Sequence, residues 1–237
     1  MKKEALLAGL IMGMCLSATA KPIHHKAVKQ AKPVDARLAL KKLMEGNHRF
    51  ATHHMRHPDE TLARRISLAR NGQHPFAVVL SCSDSRIPPE IIFDQGLGDL
   101  FVVRVAGNIS DDAVIGSIEY AAGHLGIPLL IVLGHENCGA VHAAIDNQKE
   151  GHLAALVEAI LPAVEKVRNR HPQSTEPEAS DAHFNEEVSR ANIEEVIGKL
   201  TASEPVLAAM IREKKLVVVG GYYHLASGKV SLLPQAH

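Results

Sequence analysis

The chain has 237 residues, 46 % of them hydrophobic, and its 26 basic residues balance 26 acidic ones. That length suits one well-buried domain better than two. A net charge of zero without a long basic run argues against nucleic acid as a partner and leaves a small neutral or anionic substrate open.

Residues 1–20, MKKEALLAGLIMGMCLSATA, join a basic start to an apolar stretch and a small-x-small ending at Ala18, Thr19 and Ala20. The apolar part is too short to span a bilayer, so the segment predicts a signal peptide cut before Lys21. Export to the periplasm follows, with no stable membrane insertion after cleavage. Cleavage removes Cys15 and leaves only Cys82 and Cys138. Two cysteines in an oxidising compartment suggest a disulfide on their count alone, but their neighbours suggest another use.

Residues 21–34 are basic, polar and proline-flanked, as a flexible leader is. Residues 35–237 then form a single domain. Asp35 caps a predicted helix in which Ala36, Ala39, Leu40, Leu43, Met44 and Phe50 share a face. FAVVLS, after Pro75, reads as a buried strand that ends at Cys82. Pro88 and Pro89 open a short helical turn, and DLFVVRVAG from Asp99 reads as a second strand.

DDAVIGSIEYAAGHLG from Asp111 predicts one helix with Val114, Ile115, Ile118, Ala121, Ala122 and Leu125 on a stripe. PLLIVLGH is a third strand, ending at His135. Helices are expected over residues 153–169, 185–200 and 203–214, and then LVVVGGYYHLASGKVSLL as a strand, a Ser-Gly turn and a shorter strand. Strands alternating with helices imply an α/β fold with a central, mainly parallel sheet flanked by helices.

Cys82 and His135 thus stand at the carboxyl ends of buried strands, where open α/β sheets assemble their sites. Cys138 follows His135 by three residues, so one turn of backbone can aim both side chains at one centre. Two thiols and an imidazole are zinc-type ligands, and three of them leave a fourth position for water or substrate. Asp84 lies two residues after Cys82 and Arg86 two further on. A guanidinium there would hold the carboxylate ionised and fixed in direction beside anionic sulfurs. Asp84 could then orient the group that occupies the fourth position.

These residues resemble the β-class carbonic anhydrases of the plant-like branch. The resemblance rests on Cys82-Ser-Asp84-Ser-Arg86, Phe101-Val-Val-Arg104, Ala106-Gly107-Asn108, Ile118-Glu119-Tyr120 and Gly134-His135-Glu-Asn-Cys138-Gly139. It implies one Zn2+ per chain on Cys82, His135 and Cys138, an Asp84–Arg86 dyad, and reversible hydration of carbon dioxide to bicarbonate by zinc-bound hydroxide. It further implies that Gln73 serves the zinc of a neighbouring subunit, that Phe101 and Tyr120 line the substrate pocket, and that the Gly139 N–H donates to substrate. A homodimer or a higher even-numbered homo-oligomer follows from the same resemblance. In another branch, bicarbonate favours a closed state in which Asp84 would be a fourth ligand, using a tryptophan and residues placed like Arg104 and Tyr223. This chain has no tryptophan, which argues against bicarbonate switching and leaves Asp84 ligation itself open. Val105 and Ala106 also depart from the family's commoner Asn-Val pairing. Two other functions fit the same ligands: a related zinc hydrolase acting on carbon disulfide or carbonyl sulfide, and a non-enzymatic periplasmic dithiol or metal-binding protein.

Overall fold

The apolar runs rich in Val, Ile and Leu become β1 (Ala77–Ser81), β2 (Leu100–Arg104), β3 (Leu129–His135), β4 (Val217–Tyr223) and β5 (Val230–Leu232). They form one sheet in the order β2-β1-β3-β4-β5, parallel except for β5, which runs antiparallel to β4. This is a computed structural model that describes residues 35–170 and 181–234; the predicted signal peptide and leader lie outside the described residues.

Every residue of β1 and β3 is buried, because side chains alternate between two faces that helices cover. Ala77, Val79, Leu129, Ile131 and Leu133 join one apolar cluster, and Val78, Leu80, Leu130 and Val132 join the other. The helices are α1 (Ala36–Ala51), α2 (Leu62–Asn71), α3 (Pro89–Ile92), α4 (Asp112–Glu119), α5 (Gly139–Ile145), α6 (Leu153–Arg170), α7 (Ala182–Thr201) and α8 (Leu207–Arg212). α1, α5 and α6 pack on the first cluster, α4 and α8 on the second, and α7 contributes to both.

Local chemistry sets most boundaries. Asp35 accepts from Leu38 N at 2.7 Å and Asp111 from Val114 N at 2.8 Å, so α1 and α4 begin on carboxylate caps. Buried Asn47 then ties α1 to distant chain: its Nδ2 donates to Ile92 O and Gly228 O, and its Oδ1 accepts from Val230 N.

Three expectations change. The helix expected from Asp111 to Gly126 is α4 followed by a π-helical turn over Tyr120–His124, although Val114, Ile118, Ala121 and Ala122 are buried as a stripe. The helix expected over residues 203–214 shrinks to α8, because Pro205 keeps Glu204 out of helical geometry. The strand expected through Gly107 stops at Arg104 and turns at Ala106–Asn108, with Gly107 at φ 71°. There a Cβ would lie 2.7 Å from Ile160 Cδ1, so only glycine suits both the conformation and the space.

Candidate metal centre

Parallel neighbours β1 and β3 end side by side, with Ser81 opposite Leu133, so Cys82 and His135 emerge at the same edge of the sheet. Cys138 is the residue before α5, and its carbonyl accepts from His142 N at 3.0 Å. The ligand atoms of Cys82, His135 and Cys138 all lie within 4.8 Å of one another, and all three residues are buried. The two sulfurs are 4.0 Å apart and both thiols are free.

The donor set fits a metal ion. His135 Nδ1 stands 2.8 Å from Glu136 O; a carbonyl can only accept, so Nδ1 carries the proton and Nε2 presents its lone pair. That Nε2 is buried without a hydrogen-bond partner, which is costly unless a ligand or ion occupies the space before it. The thiols are primed as well. The contact with the Cys138 thiol lowers the Cys82 thiol, aided by the N–H groups of Gly107 and Asp84 and opposed by burial. The same contact, then burial, pushes Cys138 up, and a bound cation would favour the deprotonated form of both thiols.

Around the ligands runs a frame of directed hydrogen bonds. Gly107 N donates to Cys82 Sγ at 3.2 Å. Arg104 donates from Nε to Cys82 O at 3.0 Å and from a terminal nitrogen to Asp84 O at 2.6 Å. Arg86 takes both oxygens of Asp84, Nε to Oδ1 at 2.9 Å and a terminal nitrogen to Oδ2 at 2.6 Å, and reaches Asn137 O at 3.1 Å. These bonds to Arg86 hold the Asp84 carboxyl down to about 2, so it is ionised and accepts only. Its Oδ2 lies 4.0 Å from His135 Nε2.

The remaining expected residues are placed differently. Gly139 opens α5 beside Cys138 and is exposed. Phe101 and Tyr120 face each other with ring centroids 6.2 Å apart, and Tyr120 is half exposed. Phe101 lies three residues upstream of Arg104, opposite Val78, roughly 10 Å along the strand from the metal end. Gln73 is exposed just beyond α2. Among the described residues no hydrogen bond or ring contact joins Gln73, Phe101 or Tyr120 to the three ligands within one chain. Sequence reasoning missed the backbone contributions of Gly107 and Asn137. It placed Arg104 in the family motif and among the residues of the bicarbonate-switching branch, whereas Arg104 also fixes the carbonyls on either side of Ser83.

A sheet that gathers two thiols, an imidazole and an oriented carboxylate at its strand ends is the framework of a metalloenzyme. Comparison with known proteins narrows that class. The family model described as carbonic anhydrase matches residues 77–230. The carbonic anhydrase of Mycolicibacterium smegmatis is 42 % identical over 199 residues, covering 82 % of this chain and 91 % of that protein. Carbonic anhydrase 2 of Mycobacterium tuberculosis is 41 % identical over the same length and the same shares of the two chains. Among solved structures, a tetrameric β-carbonic anhydrase from Sordaria macrospora superposes with a TM-score of 0.63 at 26 % identity, covering 84 % of this chain and 95 % of its own. The Coccomyxa β-carbonic anhydrase in complex with acetazolamide gives 0.64 at 25 % identity, covering 83 % and 86 %. The chain therefore belongs to the β-carbonic anhydrase family, and it is an enzyme, a carbonate dehydratase, rather than a non-enzymatic dithiol protein.

Proposed function

We propose that Cys82, His135 and Cys138 hold one zinc ion per chain and that the enzyme hydrates carbon dioxide reversibly to bicarbonate and a proton. The observation that carries this reading is the buried, partnerless His135 Nε2 beside two sulfurs 4.0 Å apart. Zinc bound there supplies a nucleophile near neutral pH, because it lowers the pKa of a coordinated water from 15.7 to about 7. Asp84 would accept a hydrogen bond from the group at the fourth position and orient it. Arg86 keeps Asp84 ionised and aimed. Each carboxylate oxygen accepts from Arg86 and keeps a further lone pair; Asp84 would be a possible fourth ligand in a closed state. The Gly139 N–H serves as donor to carbon dioxide or bicarbonate. Phe101 and Tyr120 form an apolar wall, and Gln73 completes the site of a second copy in a homodimer or larger even-numbered assembly. The Sordaria macrospora relative, described as tetrameric, supports that assembly.

Stopped-flow carbon dioxide hydration on zinc-loaded protein between about pH 7 and pH 9 tests the reading. Turnover that rises with pH and disappears in Cys138→Ser is expected. A zinc-loaded protein inert toward carbon dioxide but active on carbonyl sulfide would replace the substrate assignment.

Export to the periplasm is part of the same proposal and rests on the basic, apolar and small-x-small order of residues 1–20. No described helix is long and apolar enough to cross a membrane. A periplasmic fraction whose protein begins at Lys21 is the expected result, and a full-length chain in the cytosol would overturn it.

A further inference from the structure

A buried side-chain amide needs a reason, since it forfeits its hydration, and α7 buries Asn185, Ser189 and Asn192 at helical spacing. Asn192 is 1 % exposed in the middle of α7, among Val188, Ala191, Ile193 and Val196, all buried. Its Nδ2 donates to Gly107 O at 2.9 Å, across 85 residues of sequence. Gly107 is the residue whose N–H donates to Cys82 Sγ. α7 is therefore one hydrogen bond away from a residue that touches a metal ligand.

The loop that carries Gly107 is buried over residues 107–110, and few hydrogen bonds fix its backbone. Val105 N donates to Ser81 O at 3.1 Å and Asn108 N to Val105 O at 2.9 Å, which fixes the entry to the turn. Gly107 itself sits at φ 71°, and glycine rotates more freely than any other residue, so its two peptide planes keep their relative setting only through outside contacts. Asn192 supplies the contact on the carbonyl side. Two turns further along α7, Lys199 Nζ donates to Ser110 O at 3.2 Å, a second anchor on the same loop. The helix is also tightly seated near the second ligand: a Cβ at Gly134, the residue before His135, would lie 2.7 Å from Ile193 Cδ1.

We propose that Asn192 is a positioning residue of the metal centre: by holding the Gly107 carbonyl it directs the Gly107 N–H onto the Cys82 sulfur and so tunes that ligand. The proposal rests on the metal reading above. Donation to a metal-bound thiolate draws electron density from sulfur, so losing it makes the sulfur a stronger donor and leaves the ligand less well oriented.

The experiment substitutes cobalt(II) for zinc and reads the thiolate-to-metal charge-transfer band. Asn192→Leu removes the donor at similar volume, and Asn185→Leu makes the same change at another buried asparagine of α7, one not bonded to this loop. Asn192→Leu should move the band to lower energy and weaken zinc in chelator competition by about 10- to 100-fold, the usual cost of losing a residue behind a ligand. Asn185→Leu should leave the band in place. A band unmoved in Asn192→Leu, or moved equally by both variants, overturns the proposal. The absence of any such band in the unsubstituted protein would instead overturn the metal centre. Should Asn192→Leu fail to fold, Asn192→Asp, which keeps the shape but turns the donor into an acceptor, is read the same way. In unsubstituted protein loaded with a spin-active cadmium isotope, scalar coupling from the metal to the Gly107 amide proton is expected, and its absence overturns the first link.

Discussion

Asp84 and Arg86 are locked face to face, two side-chain hydrogen bonds joining the fork of one to both oxygens of the other, while the Arg86 backbone N–H adds a third at 2.9 Å. Arg86→Ala frees the carboxylate to turn toward His135 Nε2, 4.0 Å away. A fall in kcat/KM of about 10- to 100-fold is expected, the scale set by losing a residue that orients a site. An unchanged kcat/KM would remove the dyad from catalysis.

The same pair has an acid signature. Asp84 is lowered from 3.8 to about 2, chiefly by its bond to Arg86. A depressed carboxylate stabilises the fold fully above its unfolded-state value and loses that contribution as pH falls through the folded one. Wild type should therefore melt above Arg86→Ala at pH 6. The gap should close between about pH 4 and pH 2, and a gap constant across that window would contradict the assignment.

Metal should stabilise the fold through all three ligands. At free zinc about 100-fold above its dissociation constant, binding contributes about 2.7 kcal/mol. Stripping wild type with a chelator should lower its melting temperature accordingly. Cys138→Ser should melt at one temperature with or without chelator and should retain little zinc by elemental analysis. Two extensive apolar clusters, of which only the first includes Cys82 and Cys138, predict that the stripped protein still folds cooperatively.

Gly107→Ala tests the turn beneath Cys82. The new methyl would meet Ile160 Cδ1 at 2.7 Å and Ala140 Cβ at 3.1 Å, with φ at 71°. Strain and crowding together should cost about 2–3 kcal/mol in chemical denaturation. Ile160→Val should recover part of the crowding but none of the backbone strain, so full recovery would show that φ is not at issue.

Gln73 can be placed by subunit mixing. Gln73→Ala should lower activity, and Cys138→Ser should abolish it. If Gln73 serves the neighbouring zinc, hybrids of the two variants contain one complete site each and regain activity up to half that of wild type. Hybrids no more active than the mean of the separate variants would put Gln73 in its own chain's site or outside any site.

Much of the fold was legible because its signals were local and strong. Uninterrupted apolar runs marked β1, β3 and β4, and Asp35 and Asp111 marked helix starts. α2 escaped notice because it buries no residue and so shows no apolar periodicity, and α5 because it is seven residues long and opens on glycine. α8 was overextended across Pro205, and the π-helical turn at Tyr120–His124 left no mark on the hydrophobic stripe.

The sequence by itself picked out Cys82, His135 and Cys138 as candidate ligands and paired Asp84 with Arg86. Cys82, Asp84 and Arg86 share one strand-end loop and His135 and Cys138 another, so spacing alone limits what each side chain can reach. Tertiary structure decided how the two loops meet. Cys82 and Cys138 are 56 residues apart in sequence, and only the side-by-side parallel pairing of β1 and β3 brings their sulfurs together. It also decided that Gly107 touches Cys82 and that Asn192 holds Gly107, across 25 and 85 residues. Such contacts depend on how a helix lies over a sheet, and no local pattern of residues encodes that.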